Sequence, residues 1–325
     1  MSAQAGRPIV LVALDGSLAA ETALLIATAV AAQMGAACQA LHIVAETRPD
    51  MGLRRPFARG AETLTGVQLW QVFPEPTNTL LAAFWHIEVR LDAGDPVAGI
   101  LRASADPTVA LVVLTTHGQI VEPGRSLGRV AEQVVAQVTR PILLIRPEAA
   151  SLKYDRPLQR LLLPLDGTPT TATLLTPACE LASRLGAAVD LLYVAGPGQT
   201  LPDEPGSIAA PRYVDQPQHE WPQWANEVIS RLGAASAKCP PDVLTRTFLV
   251  QGDIGEEIAR FAAEHHSDAV VLARRSHLEP GHAGVLRAVL DTTPCPVLLI
   301  GEATAAPRRR APARRGERRS AGRDR

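Results

Sequence analysis

Short, unbroken apolar runs alternate along the chain with stretches in which apolar residues recur every three or four positions. The runs Ile9–Leu14, Ala110–Leu114 and Ile142–Ile145 have the length and composition of strands buried on both faces. The recurring stretches predict helices at Leu18–Met34, Pro96–Ser104, Ser126–Val138, Thr171–Leu185, Glu220–Lys238, Gly255–His265 and Gly284–Leu290. Strands that alternate with helices pair in parallel through right-handed crossovers, so the pattern predicts a doubly wound α/β sheet.

The chain carries this pattern twice. IVLVALDGS at Ile9–Ser17 returns as LLLPLDGT at Leu161–Thr168, and LDAGDPVAGILRASAD from Leu91 returns as LVQGDIGEEIARFAAE from Leu249. The pairs ALVVLTTHG with DAVVLARRS, and PILLIRPE with PVLLIGEA, follow in the same order. The length of 325 residues also fits two domains of about 150 residues. We therefore predict one domain over 1–148, a second over 156–302, and a tail over 303–325.

Composition is consistent with two globular domains and excludes a wholly disordered chain, because 46% of the residues are hydrophobic and 20% are charged. The longest apolar stretch, Ala23–Ala32, is shorter than the roughly 20 residues of a membrane span. The opening residues MSAQAGRP run directly into the first predicted strand, and we expect no signal peptide. These features predict a cytoplasmic protein with no membrane partner.

Charge is unevenly distributed. The net charge is −1, but the tail from Ala303 holds nine arginines against Glu317 and Asp324, which gives it +7 and leaves −8 for the rest. Arginine mixed with Ala, Pro and Gly predicts disorder, and its attraction to nucleic acid would be generic and salt-sensitive. The alternative is a solubilising extension, which we favour.

Four cysteines and two long loops give less information. Cys38, Cys179, Cys239 and Cys295 have no metal-binding spacing, and we interpret them as small core residues in a reducing compartment. Two segments rich in Pro, Gly and Arg, residues 46–79 and 196–218, are either lids or disordered insertions.

Two motifs of the first copy lie where open α/β sheets bind ligands, after the carboxyl ends of strands. Asp15 could accept hydrogen bonds from a ribose or a base, or it could serve with Ser17 as a helix cap. Gly118 and Gly128, with nine residues between them, could let backbone N–H groups surround an anion, or they could form an ordinary turn and helix start. Taken alone, each motif favours the structural role, which is a helix cap for Asp15 and Ser17 and a turn with a helix start for the two glycines.

The order of the motifs resembles the universal stress protein family. IVLVALDGS, LHIV, GDP, VVLTTHG, GRVAEQVV and RPILLI follow that family's layout, and LLLPLDGT, LLYV, QGD, AVVLARRS and CPVLLI repeat it. The resemblance implies a five-stranded parallel sheet flanked by helices in each copy, with a Rossmann-like nucleotide-binding topology. In ATP-binding members, a G-x2-G-x9-G-S/T motif wraps the phosphates, an early Asp contacts the nucleoside, and backbone after the second strand meets adenine.

Carried over residue by residue, this implies an ATP site, with Mg²⁺, in the first copy only. Its candidate residues are Ala13, Asp15, Val44, Leu114, Thr115, Gly118, Gly128, Arg129 and Val130. Thr115 stands where the first motif glycine is expected, and its branched side chain narrows the site. Arg129 replaces the Ser or Thr, and its guanidinium could pair with phosphate, fill the site, or extend into solvent. Of these roles, filling the site is the one we expect.

The second copy keeps the aspartate as Asp166 but not the glycines. Ala273, Arg274, Arg275 and Ser276 occupy that stretch, so we expect the phosphate cradle to be lost. Arg274 and Arg275 could hold an anion, but a solvated basic loop is the alternative that we favour. Asp166 is thus the remnant of a site.

The sequence is consistent with three alternative functions. The first is a regulatory stress-response protein that binds ATP in its first domain and is not an enzyme. The second is a slow ATP-hydrolysing, phosphoryl-transferring or adenylyl-transferring enzyme, although no motif supplies a base or a metal site. The third is a nucleotide-free scaffold whose tail contacts partners or nucleic acid.

The last strands of the two copies suggest how they assemble. By resemblance to family dimers, we expect Pro141–Ile145 to pair with Pro296–Ile300, because each would otherwise be an exposed apolar sheet edge. A homodimer of the whole chain would be a further level of assembly.

Overall fold

The computed structural model describes residues 7–44, 62–63, 87–118, 126–147, 157–165, 169–195, 230, 232–234, 236–274 and 280–301. The first repeat consists of β1 (Ile9–Leu14), α1 (Leu18–Gln33), β2 (Ala37–Val44), β3 (Glu62–Thr63), β4 (Ile87–Ala93), α2 (Pro96–Ser104), β5 (Val109–Thr115), α3 (Arg129–Gln137) and β6 (Ile142–Ile145). The second repeat consists of β7 (Arg160–Leu165), α4 (Pro169–Leu185), β8 (Ala188–Ala195), β9 (Thr245–Gln251), α5 (Ile254–Glu264), β10 (Ala269–Arg274), α6 (Pro280–Thr292) and β11 (Val297–Gly301).

The strands form one sheet in the order β3-β4-β2-β1-β5-β6-β11-β10-β7-β8-β9. Within each repeat five strands are parallel, as the sequence predicts, and β3 adds an antiparallel pair with β4. Strands β6 and β11 pair antiparallel, with Leu144 opposite Val297 and Leu143 opposite Leu298. The two five-stranded sheets are therefore parts of a single continuous sheet.

Helices cover both faces of this sheet, as expected for apolar runs buried on both sides. Helices α1 and α4 pack on one face, while α2, α3, α5 and α6 pack on the other. Each of the two hydrophobic clusters contains residues of both repeats, such as Leu143 with Leu298 and Leu144 with Leu299. Because the clusters run through the sheet junction, the repeats share one core.

Side chains fix where several helices begin. The hydroxyl of Ser17 accepts from the N–H of Ala20 at 3.2 Å, Asp95 accepts from Ala98 at 2.8 Å, and Asp253 accepts from Gly255 at 3.0 Å. Such N-caps satisfy backbone donors that have no partner within the helix.

Gln33, the last residue of α1, joins the repeats on the face of α1 and α4. Its Nε2 donates to the carbonyl of Leu158 at 2.7 Å and to that of Leu185, and its Oε1 accepts from the N–H of Leu158 at 3.0 Å. One amide side chain thus ties α1 to the entry of β7 and to the end of α4.

Several predictions need correction. Cys179 and Cys239 form a disulfide that links α4 to the segment before β9, so only Cys38 and Cys295 are free, buried cysteines. The helix predicted from Ser126 begins at Arg129, and the one predicted over Gly284–Leu290 extends over Pro280–Thr292. Sequence spacing misses the disulfide because its cysteines, 60 residues apart, approach only through the fold.

Other predictions fall largely outside the described residues. These include most of the predicted helix Glu220–Lys238, the loop 196–218, the tail from 303, and the loop 46–79 apart from the two residues of β3. Of the helices in the described part of the chain, none is both long and apolar enough to cross a bilayer.

Candidate functional site

The candidate site lies at β1, where the order in which the chain adds strands to the sheet reverses. From β1 the chain moves through α1 to β2 on one side, and it returns through α2 to β5 on the other side of β1. The carboxyl ends of β1 and β5 therefore flank the crevice in which open α/β sheets bind ligands. Asp15 follows β1, and residues 116–118 follow β5.

Asp15 is held in place by the turn that begins α1. Its Oδ1 accepts from the N–H of Ser17 at 3.0 Å and from the hydroxyl of Ser17 at 2.5 Å. Ser17 in turn caps α1. Ser17 is therefore the cap of α1, Asp15 is hydrogen-bonded to it, and a contact of Asp15 with a nucleoside stays a prediction.

Gly118 lies directly against the carboxylate of Asp15. A Cβ atom built on Gly118 would come within 1.9 Å of Asp15 Oδ2, closer than any real contact. Its φ lies outside the left-handed region, so the close approach to Asp15 accounts for the glycine. The structure therefore brings together the aspartate and the first retained glycine of the motif.

Gly128 is the N-cap of α3, and its N–H donates to the carbonyl of Thr116 at 2.8 Å. Within the described residues, the N-cap Gly128 has no side-chain capping hydrogen bond. The first-turn N–H groups of a helix favour anions, because the helix dipole adds to them. Arg129 and Glu132 carry opposite charges in the same turn.

The other candidate residues lie near the carboxyl ends of β1, β2 and β5 and in the first turn of α3. Leu114 and Thr115 are buried at the end of β5, with Thr115 only 8% exposed, and Ala13 is partly buried in β1. Arg129 and Val130 are exposed residues in the first turn of α3. Val44 ends β2 opposite Ala93.

The structure describes only part of the corresponding motifs in the second repeat. Asp166 lies outside the described residues, as do Arg275 and Ser276. Arg274 is half-buried and its Nη1 donates to the carbonyl of Val135 at 3.3 Å, so it does not belong to a solvated loop.

His42 is a site neighbour that the motif comparison misses, although it is a lone polar residue within the apolar run LHIV. It is 9% exposed, and its Nδ1 lies 2.9 Å from the carbonyl oxygen of Leu14, which can only accept, so Nδ1 carries the proton. Burial is the main cause that lowers the pKa of His42 below its ordinary value of 6.5, against smaller effects of the Leu14 carbonyl and the Asp15 charge.

The lowered pKa of His42 predicts a pH-dependent stability. Below pH 6.5 the unfolded chain takes up a proton that the folded chain disfavours. The free energy of unfolding should therefore decrease as the pH is lowered, by up to about 1.4 kcal/mol per pH unit. His42→Asn, which keeps an amide donor near Nδ1 but does not titrate, should flatten this slope below pH 6.5. Urea unfolding at several pH values measures both proteins, and equal slopes would contradict the assignment.

Two other features bear on the chemistry. Among the residues described, no group of three or more His, Cys, Asp or Glu side chains could hold a metal ion. A cavity of about 360 Å³ lies at the amino ends of β1, β5 and β6, lined by Pro8, Pro107, Arg140 and the α4 residues Glu180 and Arg184 among others. The cavity is therefore separate from the candidate site.

Comparison with known proteins finds a matching family model and solved structures with a similar fold. The universal stress protein family model matches residues 7–146 and again residues 157–301. A universal stress protein from Archaeoglobus fulgidus DSM 4304 is 15% identical with a TM-score of 0.59, covering 90% of this chain and 98% of that one. A protein from Pseudomonas aeruginosa UCBPP-PA14 with the same family description is 14% identical with a TM-score of 0.54, covering 92% of this chain and 95% of that one.

A shorter match is a universal stress protein in complex with cAMP, 14% identical with a TM-score of 0.33, which covers 46% of this chain and 100% of that one. No curated protein sequence matches the chain. At these identities the structural matches establish the fold alone.

Proposed function

The chain belongs to the universal stress protein family, with two family domains in tandem, and we propose that its first repeat binds ATP as a regulatory ligand while its second repeat does not. The observation that carries this proposal is the close approach of Asp15 and Gly118 at the reversal point of the sheet, beside the start of α3. A carboxylate can accept hydrogen bonds from ribose hydroxyls, and the start of a helix can bind phosphate.

Asp15 is suited to bind the nucleoside. Ser17 occupies Oδ1 from one side, so the carboxylate has a fixed orientation before a ligand arrives. Carboxylate oxygens accept several hydrogen bonds, and ribose hydroxyls supply the donors. A group that is already oriented loses little entropy on binding, which favours affinity.

The start of α3 is suited to bind phosphate. Gly128 provides no side-chain capping hydrogen bond within the described residues, and Arg129, the first residue of the helix, is exposed. Of the three roles open to Arg129, pairing with phosphate therefore fits its position better than filling the site. Mg²⁺ would enter with the nucleotide, whose phosphates it binds, and the residues of the chain would bind and orient the complex.

A binding function explains the site better than an enzymatic one. Phosphoryl transfer requires a positioned nucleophile or base in addition to charge stabilisation. His117, the nearest motif histidine, is buried with its Nδ1 3.3 Å from the Thr116 hydroxyl. We therefore propose regulation by nucleotide occupancy, with any turnover of ATP slow.

The test is a calorimetric titration with ATP and Mg²⁺, preceded by mass spectrometry of the protein purified without added nucleotide. We expect a stoichiometry near one per chain. Asp15→Ala should weaken binding about 10-fold to 100-fold through lost charge-assisted hydrogen bonds, and Arg129→Ser should weaken it within the same range.

Asp166→Ala is the matched control, because it removes the corresponding aspartate of the second repeat. It should leave the affinity unchanged. Two equivalent sites, or an Asp15→Ala variant that binds as tightly as the wild type, would overturn the proposal. Released phosphate measured in the same samples separates binding from hydrolysis.

A further inference from the structure

We infer that the second repeat is a structural part of the first repeat's nucleotide site, because Asp291 and Arg274 hold helix α3 near both of its ends. The role of α3 in binding phosphate rests on the function proposed above, whereas the contacts that hold it do not. Asp291 is thus assigned as a positioning residue for a site in the other repeat.

The first contact precedes the start of α3. The hydroxyl of Ser126, two residues before Gly128, donates to Asp291 Oδ2 at 3.0 Å, although the two residues are 165 positions apart in sequence. Hydrogen bonds to a charged group are stronger than those between neutral groups. The contact therefore restrains the backbone that leads into the candidate phosphate-binding turn.

Asp291 is itself anchored to the first repeat. Arg146, which follows β6, donates from Nη1 to the carbonyls of Leu290 (3.3 Å) and Asp291, and from Nη2 to that of Thr293 (3.0 Å). These are carbonyls at the end of α6, where a cation also complements the helix dipole. The end of α6 is thereby fixed to the strand that borders β5.

The second contact lies near the other end of α3. Arg274 Nη1 donates to the carbonyl of Val135, three residues before the α3 C-cap Val138. Gly301 makes this approach feasible, since a Cβ there would come within 2.7 Å of Arg274 Nη2. The second repeat thus provides an acceptor before the start of α3 and a donor near its end.

The repeat alignment relates these contacts to the candidate site of the first repeat. Arg274 lies 158 residues after Thr116, and Gly301 lies 155 residues after Arg146, which are the offsets of the corresponding motifs. The position of Thr116, whose carbonyl accepts from Gly128, is held in the second repeat by Arg274, whose side chain reaches α3. The second repeat has a supporting contact where the first has a ligand-binding turn.

Such an arrangement couples nucleotide occupancy to the junction between the repeats. If Asp291 favours the backbone arrangement that binds phosphate, then bound phosphate must favour the contact with Asp291 by the same free energy. Occupancy of the first repeat would therefore stabilise the end of α6 in the second.

Hydrogen exchange of the nucleotide-free full chain tests the contact directly. Asp291→Ala should speed amide exchange in the peptide 126–137 about 3-fold to 10-fold, the effect of one hydrogen bond. Asp291→Asn, whose amide oxygen can still accept from Ser126, should restore slow exchange. Ser126→Ala should match Asp291→Ala, and the double variant should exchange no faster than either single variant.

The control is Asp242→Ala, which breaks a second Ser–Asp hydrogen bond, from Ser183, within the second repeat. It should leave exchange in 126–137 unchanged. Unchanged exchange in Asp291→Ala, or an Asp291→Asn variant that behaves like Asp291→Ala, would overturn the inference.

ATP titration of the same variants separates this inference from the proposed function. If the wild type binds ATP, Asp291→Ala should weaken binding about 3-fold to 10-fold and Asp291→Asn should restore it. A wild type that binds no ATP would refute the proposed function, while the exchange result would still decide whether Asp291 positions α3.

Discussion

Gly118→Ala should weaken ATP binding at least 100-fold while the protein remains folded. The added Cβ would lie 1.9 Å from Asp15 Oδ2, so the carboxylate must rotate away. Rotation breaks both hydrogen bonds from Ser17 and removes the acceptor for the nucleoside. The loss should equal or exceed that of Asp15→Ala, because the new methyl group also occupies the crevice. Calorimetric titration measures the affinity, and circular dichroism confirms the fold.

The matched control for Gly118→Ala is Gly128→Ala. A Cβ at Gly128 would meet its nearest neighbour, the carbonyl oxygen of Thr116, at 3.4 Å, which is an ordinary contact. This variant should change the affinity by less than about threefold, whereas Gly128→Trp should abolish binding by filling the space before α3. Equal effects of the two alanine variants would show that the contact between Asp15 and Gly118 has no special role.

A double variant isolates the steric cause. In Asp15→Ala protein the carboxylate is absent, so adding Gly118→Ala should not lower the melting temperature further. An additive loss of stability would place the clash elsewhere.

Leu144→Ala should lower the free energy of unfolding by about 2–5 kcal/mol and still leave a single unfolding transition. Leu144 is 1% exposed in β6, opposite Val297 of β11, and truncation of such a side chain leaves a cavity. Because both hydrophobic clusters extend through the two repeats, the loss should lower the stability of both together. Calorimetry measures the transition, with equal calorimetric and van't Hoff enthalpies as the sign of one unit.

Leu244→Ala provides the same chemical change at a residue that is 65% exposed, and it should alter stability by less than about 0.5 kcal/mol. Two separate transitions, with only the first shifted in Leu144→Ala, would show that the repeats unfold independently.

The sequence predicted the parts of the fold that depend on local pattern. The run Ile9–Leu14 forms β1 and the stretch Pro96–Ser104 forms α2, each with the predicted bounds. An unbroken apolar run indicates the strand and an N-terminal proline indicates the start of the helix, and both signals are local in the sequence. The parallel order of each repeat followed from strand–helix alternation. The family membership followed from motif order.

Contacts between the repeats could not be predicted in the same way. The hydrogen bonds of Arg146, Arg274 and Ser126 join residues 139 to 165 positions apart. Their partners are backbone carbonyls or ordinary surface residues, which leave no pattern in a single sequence. Arg274 illustrates this limit, since a basic residue after a strand suggests solvent exposure until α3 is placed beside it.

Gln33 shows what joining two copies in one chain makes possible. In a symmetric dimer of identical chains, every substitution appears on both sides of the interface, so a favourable change on one side must also be tolerated on the other. Here Gln33 binds Leu158 and Leu185. The residue 151 positions later, Arg184, is exposed and lines the cavity at the amino ends of β1, β5 and β6. The covalent link allows each half to change alone, and one half can specialise in support while the other retains a ligand site.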